Sequence, residues 1–129
     1  MFESLDFVYT PSSDVAADRD HFVDVVGGRQ VFAVEAMGVR VAAIELAEGS
    51  PLILLTDHLE GDRAVLVYRV ADLNHALDAM QARGWQRQSS FGIPHGPCCS
   101  FTLEGGHRLA LYQLTRPGAP AHFAGRADF

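Results

Sequence analysis

The stretch "GGHRLALYQ", residues 105–113, reads as a turn followed by a strand, and the fold assignment starts from it. Paired glycines favour a tight turn, and the alternation after them is typical of a strand. Successive side chains of a strand point to opposite faces of its sheet, so Arg108, Ala110 and Tyr112 share one face. An arginine, a very small residue and an aromatic residue do not make an ordinary apolar core.

The chain repeats one order of elements twice: strand, helix, then three strands. The first half contains the strand patterns "LDFVYTP", "RQVFAVEA", "VRVAAIELA" and "PLILLT". The second half contains "RAVLVYRV", "WQRQSSF", "PCCSFTL" and "HRLALYQL". The predicted helix N-caps, Asp14 and Asp72, are 58 positions apart, while Ile53 and Ala110 in the closing strands are 57 apart. A near-constant offset is typical of an internal duplication.

Apolar spacing predicts the buried face of each helix. In the first helix this face comprises Val15, Phe22, Val25 and Val26, and in the second Leu73, Ala76, Leu77 and Met80. We expect a single domain with one module at about 1–57 and another at about 63–114. Residues 115–129 carry no periodicity and are interpreted as an arm or a mobile tail.

This organisation resembles the vicinal oxygen chelate superfamily, which includes glyoxalase I, extradiol dioxygenases, fosfomycin resistance proteins and bleomycin-binding proteins. The most specific part is the last hairpin, where many members show Phe-x-Asp-Pro-Asp-Gly-Asn-x-hydrophobic-Glu-Leu. "FTLEGGHRLAL" keeps Phe101, Gly106, Leu109 and Leu111 of that pattern. The openings of the two halves, "FVYTPSSDV" and "VLVYRVADL", are similar to the family's His-x-x-hydrophobic-x-Val-x-Asp-Leu.

The resemblance covers nearly the whole chain up to about Leu114 and implies an α+β fold. Two tandem βαβββ modules would form curved sheets around a cleft, with the helices outside. Arg108, Ala110 and Tyr112 would then face the cleft, which accounts for their composition. A homodimer is also implied, with the cleft formed within one chain or between two.

In metal-dependent members of the superfamily, four cleft-facing positions supply the metal ligands. The resemblance places them at Phe7 and Ile53 in the first module and at Val65 and Ala110 in the second. None of these side chains has a lone pair, whereas a divalent ion needs N, O or S ligands. Shifting the alignment by one residue adds only Asp6 as a possible ligand. We therefore predict no metal, no cofactor and no metal-dependent catalysis of the glyoxalase or dioxygenase kind.

The cleft would offer an apolar, partly aromatic wall with a few polar groups, as a small-molecule site usually does. The predicted ligand-binding residues are Phe7, Tyr9, Ile53, Leu55, Val65, Val67, Arg69, His95, Arg108, Ala110 and Tyr112. Arg69 either pairs with a neighbouring carboxylate or binds an anionic ligand. Tyr9 and Tyr112 either pack across the module interface or stack on the ligand.

Composition and charge disfavour some classes of partner. The 129 residues are 48% hydrophobic and 20% charged, with a net charge of −6. This balance disfavours nucleic-acid binding and weakly favours attraction of cationic ligands. No apolar run approaches the roughly 20 residues of a membrane span, and the N-terminus lacks the features of a secretory signal, so a cytoplasmic location is expected. The adjacent Cys98 and Cys99 are too close for an unstrained disulfide and are predicted to be reduced thiols.

Three functions remain open on the sequence. The first is a metal-free binding protein that sequesters an antibiotic or another aromatic ligand, similar to the bleomycin-binding branch. The second is an enzyme that uses acid–base chemistry from His95, His107 or a cysteine. The third is a regulatory or scaffold domain whose cleft is filled by its own side chains.

Overall fold

The computed structural model describes residues 2–88 and 90–129. Its strands are β1 (Phe2–Pro11), β2 (Arg29–Ala36), β3 (Val39–Glu45), β4 (Leu52–Thr56), β5 (Val65–Val70), β6 (Ser90–Ile93), β7 (Gly96–Thr102) and β8 (Arg108–Gln113). Its helices are α1 (Val15–Asp24), α2 (Leu73–Ala82) and α3 (Ala119–Phe123). Among these residues no helix has the length and apolar character needed to span a bilayer.

The strands form one curled sheet in the order β2-β3-β4-β1-β5-β8-β7-β6. Within each module the first and last strands pair in parallel, β1 with β4 and β5 with β8. The two modules join where β1 pairs antiparallel with β5 of the same chain. The predicted α+β fold of two βαβββ modules is confirmed, and both walls of the cleft come from one chain.

Both long helices begin at the predicted caps. A side-chain oxygen of Asp14 accepts a hydrogen bond from the backbone N–H of Ala17, and Asp72 accepts one from His75, each at 3.0 Å. Each bond satisfies one of the backbone donors that a helix leaves unpaired at its N-terminus. The two modules therefore enter their helices in the same way.

The buried face of α1 is shorter than the sequence predicts. The helix ends at Asp24, so Val25 and Val26 lie beyond it and are 70% and 54% exposed. The prediction that these two valines are buried is wrong. Val15 is buried, and Phe22 packs beside it against β3 and β4.

Helices α1 and α2 cover one face of the sheet and leave the other to the cleft. Under α2, the side chains of Leu73 and Leu77 pack against Leu111 of β8. The opposite face has its own buried cluster, which includes Val67 and Ala110. The alternation of β8 thus separates a helix-covered core from the cleft wall.

The sixth strand begins later than predicted. The pattern "WQRQSSF" predicts a strand from residue 85, but residues 85–88 are not in a strand and β6 starts at Ser90. The Trp85 ring instead lies 5.1 Å from the ring of Phe101 in the core under α2. Ser89, also in the predicted strand, is outside the described residues. Packing of the large indole has overridden its local strand preference.

Residues 115–129 form an arm along the edge of β2. The backbone N–H of Ala33 donates to the carbonyl of Arg126, and Asp128 donates to the carbonyl of Ala33, each at 2.7 Å. The ring of Phe129 lies 4.6 Å from the guanidinium of Arg40 and 5.4 Å from that of Arg19. The arm therefore covers a strand edge that would otherwise expose unpaired backbone groups.

Candidate functional site

The cleft wall is built from rows of residues that are partners on neighbouring strands. The first row consists of Tyr9, Val65, Arg108 and Thr102. The second row consists of Phe7, Val67, Ala110 and Ser100. The third row consists of Arg69, Tyr112 and Cys98. Arg108, Ala110 and Tyr112 share a face of β8, and each contributes to a different row.

The first and second rows form the floor of a cavity of about 560 Å³. This volume is in the range of small-molecule sites in proteins. Seven of the eleven predicted residues line it: Phe7, Tyr9, Val65, Val67, His95, Arg108 and Ala110. The cavity also has lining residues that the sequence did not indicate, among them Phe32, Val34, Leu54, His58, Leu59 and Phe123.

Ile53 and Leu55 do not line the cavity. Tyr9 is the partner of Leu54 on β4, so Leu54 shares the cavity face, and Ile53 and Leu55 pack with Val15 under α1. The structural equivalent of Ala110 is thus Leu54, 56 positions away, rather than Ile53 at 57. Because faces alternate along a strand, a shift of one residue moved these two side chains to the wrong face.

The four positions at which the resemblance places metal ligands, Phe7, Ile53, Val65 and Ala110, carry hydrocarbon side chains. Leu54, which takes the place of Ile53 on the cavity face, is also a hydrocarbon. These side chains have no donor atom for a divalent ion, so the residues present do not fit that metal. In the described part of the chain, no group of three or more His, Cys, Asp and Glu side chains could hold a metal ion.

Arg69 and Tyr112 lie outside the cavity lining. Asp6 sits in a bulge of β1, between Leu5 and Phe7, and its carboxylate accepts a hydrogen bond from the phenol of Tyr112. The guanidinium of Arg69 lies 3.7 Å from the carboxylates of both Asp6 and Glu3. Burial and the bond to Asp6 raise the pKa of Tyr112. Of the two alternatives for Arg69, the structure has the pairing with carboxylates. Of the two for Tyr112, it has packing at the module interface, against Phe7.

Tyr9 of β1 and His58, which follows β4, make a polar pair beside these two neighbouring strands. The Oη atom of Tyr9 is 3.0 Å from Nε2 of His58, and Nδ1 of His58 is 2.7 Å from Oγ1 of the buried Thr56. Burial raises the pKa of Tyr9, so the phenol stays protonated at neutral pH. Tyr9 and His58 both line the cavity and can present hydrogen-bonding atoms to a ligand. His58 lies in the polar linker between the modules, residues 57–64, where periodicity gives no signal.

His95 reaches the cavity from the loop between β6 and β7. Its ring lies 5.5 Å from the ring of Phe7 and 5.8 Å from that of Tyr112, both edge-on. Burial lowers the pKa of His95, so the imidazole is neutral at neutral pH. Its backbone carbonyl accepts from the N–H groups of Thr115 and Arg116, which fixes the loop.

The other proposed acid–base groups are poorly placed. His107 is exposed in the last turn and is not among the residues lining the cavity. Cys98 lines the cavity, but burial raises the pKa of its thiol to about 12. Because the thiolate is the nucleophilic form, Cys98 is not activated at neutral pH.

Arg108 anchors the linker between the modules. Its Nη1 group donates to the backbone carbonyls of Glu60 at 2.7 Å and Arg63 at 3.1 Å. Arg108 also lines the cavity, between Val65 and Thr102 in the first row. Arg108 therefore has a structural role and still borders the site.

The arm completes the cavity wall. The ring of Phe123, in α3, lies 5.7 Å from the ring of Phe32 on β2 and 6.5 Å, stacked, from that of His95. Phe123 and Phe32 both line the cavity. The arm thus brings together the β2 side and the β6–β7 loop, which are at opposite ends of the sheet.

Comparison with known proteins identifies the fold. No protein-family model matches this chain, and no curated protein sequence matches it. The crystal structure of methylmalonyl-CoA epimerase from Mycobacterium tuberculosis superposes with a TM-score of 0.72 at 17% identity, covering 92% of this chain and 95% of that one. The hypothetical protein BH1468 from Bacillus halodurans C-125 gives a TM-score of 0.72 at 13% identity, covering 85% and 93%.

A variant of the Streptomyces coelicolor methylmalonyl-CoA epimerase, in complex with 2-nitronate-propionyl-CoA, gives a TM-score of 0.71 at 12% identity. That match covers 90% of this chain and 97% of the epimerase. Identities this low establish the fold and nothing finer. The chain has the fold of the vicinal oxygen chelate superfamily, to which methylmalonyl-CoA epimerase belongs.

Proposed function

We propose that this chain is a metal-independent small-molecule-binding protein that holds a planar, largely apolar ligand in its cavity. The observation that carries the proposal is the cavity itself, about 560 Å³ in volume and bordered by the rings of Phe7, Tyr9, Phe32 and Phe123. Each well-placed aromatic contact contributes about 0.5–1.5 kcal/mol beyond the burial of its area. A ring inserted among these four would gain several such contacts.

The related structures support binding of small molecules by this fold. One methylmalonyl-CoA epimerase structure holds 2-nitronate-propionyl-CoA and another holds methylmalonyl-CoA. The hydrocarbon side chains of Phe7, Val67 and Ala110 support binding without a metal ion. Sequestration of an aromatic antibiotic would need only affinity, and it fits this wall. A homodimer and a cytoplasmic location remain part of the proposal.

Acid–base catalysis without a metal is a second candidate. Two observations favour it: the neutral imidazole of His95 and the pair formed by Tyr9 and His58 both border the cavity. A neutral imidazole can accept a proton, and a protonated phenol can donate one. Turnover of a bound ligand that is lost in His95→Gln would replace the binding proposal with this one.

Ligand binding can be tested by calorimetry and thermal shift with aromatic antibiotics and aromatic dyes, in EDTA and in divalent ions. A ligand that binds only the folded state raises the melting temperature, and we expect the same rise with and without the ions. Stabilisation that requires a divalent ion would overturn the metal-independent proposal. A folded protein that binds none of the compounds would favour the scaffold function.

A variant that fills the cavity provides the structural control. Ala110 lies in the middle of the second row, so Ala110→Leu should occupy ligand space and abolish binding. Ala36→Leu adds the same volume at an exposed position near the end of β2 and should leave binding unchanged. If Ala110→Leu and Ala36→Leu bind the ligand equally well, the ligand binds at a site other than the cavity.

A further inference from the structure

We infer that the cavity selects ligands whose polar end is neutral or anionic and discriminates against cationic ones, an inference that rests on the proposed function. In the described part of the chain, no Asp or Glu lines the cavity, and Arg108 contributes a positive charge. The lining histidines, His58 and His95, can only add positive charge on protonation. The site is therefore neutral to positive although the chain carries a net charge of −6.

The charge of Arg108 is not neutralised by a carboxylate in the described structure. Other arginines form ion pairs on the surface, such as Arg29 with Glu45 at 3.1 Å and Arg126 with Asp128 at 2.7 Å. Arg108 instead donates from Nη1 to two backbone carbonyls. Backbone carbonyls carry only partial charge, so these two hydrogen bonds do not neutralise the guanidinium.

The charges of Asp6 and Asp57 act on the cavity-lining His95 and Tyr9, respectively, but both carboxylates are engaged elsewhere. Asp6 accepts hydrogen bonds from Tyr112 and from Ser4 and lies 3.7 Å from Arg69. Asp57, next to the Tyr9–His58 pair, accepts from the backbone N–H of Arg40 at 3.1 Å. Neither of these carboxylates is part of the cavity lining. A cationic ligand would consequently lose its hydration without gaining an anionic partner.

Two more carboxylates belong to the linker. Glu60 and Asp62, together with Arg63 and Arg108, border a shallow hollow separate from the cavity. In the described structure neither carboxylate forms an ion pair with Arg108. Neither of them is among the residues that line the cavity.

The rows indicate how such a ligand would lie. Arg108, Tyr9 and Thr102 place polar atoms along the first row, while Phe7, Val67 and Ala110 make the second row largely apolar. The apolar ring would therefore cover the second row, with an acceptor such as a carboxylate or carbonyl directed to the first. A guanidinium binds a carboxylate more strongly than a neutral acceptor, which gives the order of affinity.

Three naphthalene derivatives that differ only in their polar group can test this inference. They are 2-naphthoate, an anion; 2-acetylnaphthalene, which is neutral; and 2-naphthylmethylammonium, a cation. Calorimetry at neutral pH should show binding of the first two, with the cation weaker than the anion by about tenfold or more. A cation that binds as tightly as the anion would overturn the inference while leaving the proposed function intact. Failure of all three to bind would count against the proposed function and the inference together.

Variants of Arg108 assign the preference to one residue. Arg108→Gln should lower the affinity for 2-naphthoate to about that for the neutral ketone, whereas Arg108→Lys keeps a positive charge and should retain the preference. Arg29→Gln removes the same charge from the far edge of the sheet and should change neither affinity. An unchanged ratio of anion to ketone affinity in a folded Arg108→Gln protein would overturn the inference. If Arg108→Gln fails to fold, the wild-type affinities for the anion and the cation decide it.

Discussion

The phenol of Tyr112 on β8 donates a hydrogen bond to the carboxylate of Asp6 on β1, although β5 lies between those two strands. The bond spans the junction of the two modules. It is possible because Asp6 occupies a bulge, which re-aims a side chain away from the regular alternation. The contact joins β1 to the third row, beside the ion pairs that Arg69 makes with Asp6 and Glu3.

Removing this hydroxyl should destabilise the fold. Tyr112→Phe deletes a hydrogen bond to a charged acceptor, and we expect the free energy of unfolding to fall by about 1.5–3 kcal/mol. Urea denaturation measures the change. Tyr68→Phe is the matched control: the ring of Tyr68 packs on Phe2, no hydrogen bond of its hydroxyl occurs in the described structure, and its effect should stay within about 0.5 kcal/mol. Equal stability of both variants would show that the Tyr112–Asp6 bond contributes nothing.

His95 should make stability depend on pH. Burial lowers the pKa of its imidazole below the ordinary 6.5, so the unfolded chain binds this proton more readily than the folded one. The contribution of His95 is therefore fully present above pH 6.5 and is lost as the pH falls from there towards the lowered value. As the pH is lowered through this window, the urea midpoint of wild type should fall, and the midpoint of His95→Gln should fall less. The exposed His107→Gln should keep the wild-type slope, and a flat wild-type profile would contradict the prediction.

The sequence was sufficient for elements whose signals are local. The caps at Asp14 and Asp72 and the hairpin that leads into β8 were placed correctly because capping and turn formation depend on a few adjacent residues. The prediction for the face of β4 is wrong, because the offset between the two halves is 58 at the helix caps but 56 between Leu54 and Ala110. Because side chains alternate between the two faces of a strand, an alignment error of one residue assigns every side chain of that strand to the wrong face.

The rest of the site depends on tertiary contacts. His58 comes from the linker and Phe123 from the arm, and neither segment shows the periodicity that marks a buried face. Arg69 lay on the predicted face, but the sequence could not decide between a ligand and the carboxylates of Glu3 and Asp6. The pairing of Arg69 with Asp6 depends on the bulge of β1 at Asp6, which no local sequence pattern indicates.

The two adjacent thiols should be inert in the native protein. Cys98 and Cys99 are both buried, and the pKa of Cys98 rises to about 12 from 9.0, which lowers its thiolate fraction at neutral pH by about a thousandfold. An aromatic disulfide reagent should therefore label neither thiol until urea unfolds the chain. Cys98→Ser and Cys99→Ser, labelled separately after unfolding, should each give one reactive thiol. Rapid labelling of native wild type would show that the cavity admits the reagent and that Cys98 is activated.

The arm should control how long a ligand stays bound. Phe123 borders the cavity, so Phe123→Ala removes one aromatic contact and should weaken binding of an aromatic dye about twofold to tenfold, mainly through faster dissociation. Phe129→Ala leaves the cavity lining intact but removes the ring that packs on Arg19 and Arg40, which should loosen the arm and accelerate both association and dissociation. Stopped-flow fluorescence separates the two rates. Phe2→Ala removes a ring that packs on Tyr68 outside the cavity lining and serves as the control. If Phe123→Ala and Phe2→Ala give the same dissociation rate as wild type, the arm is a cover for the β2 edge and takes no part in binding.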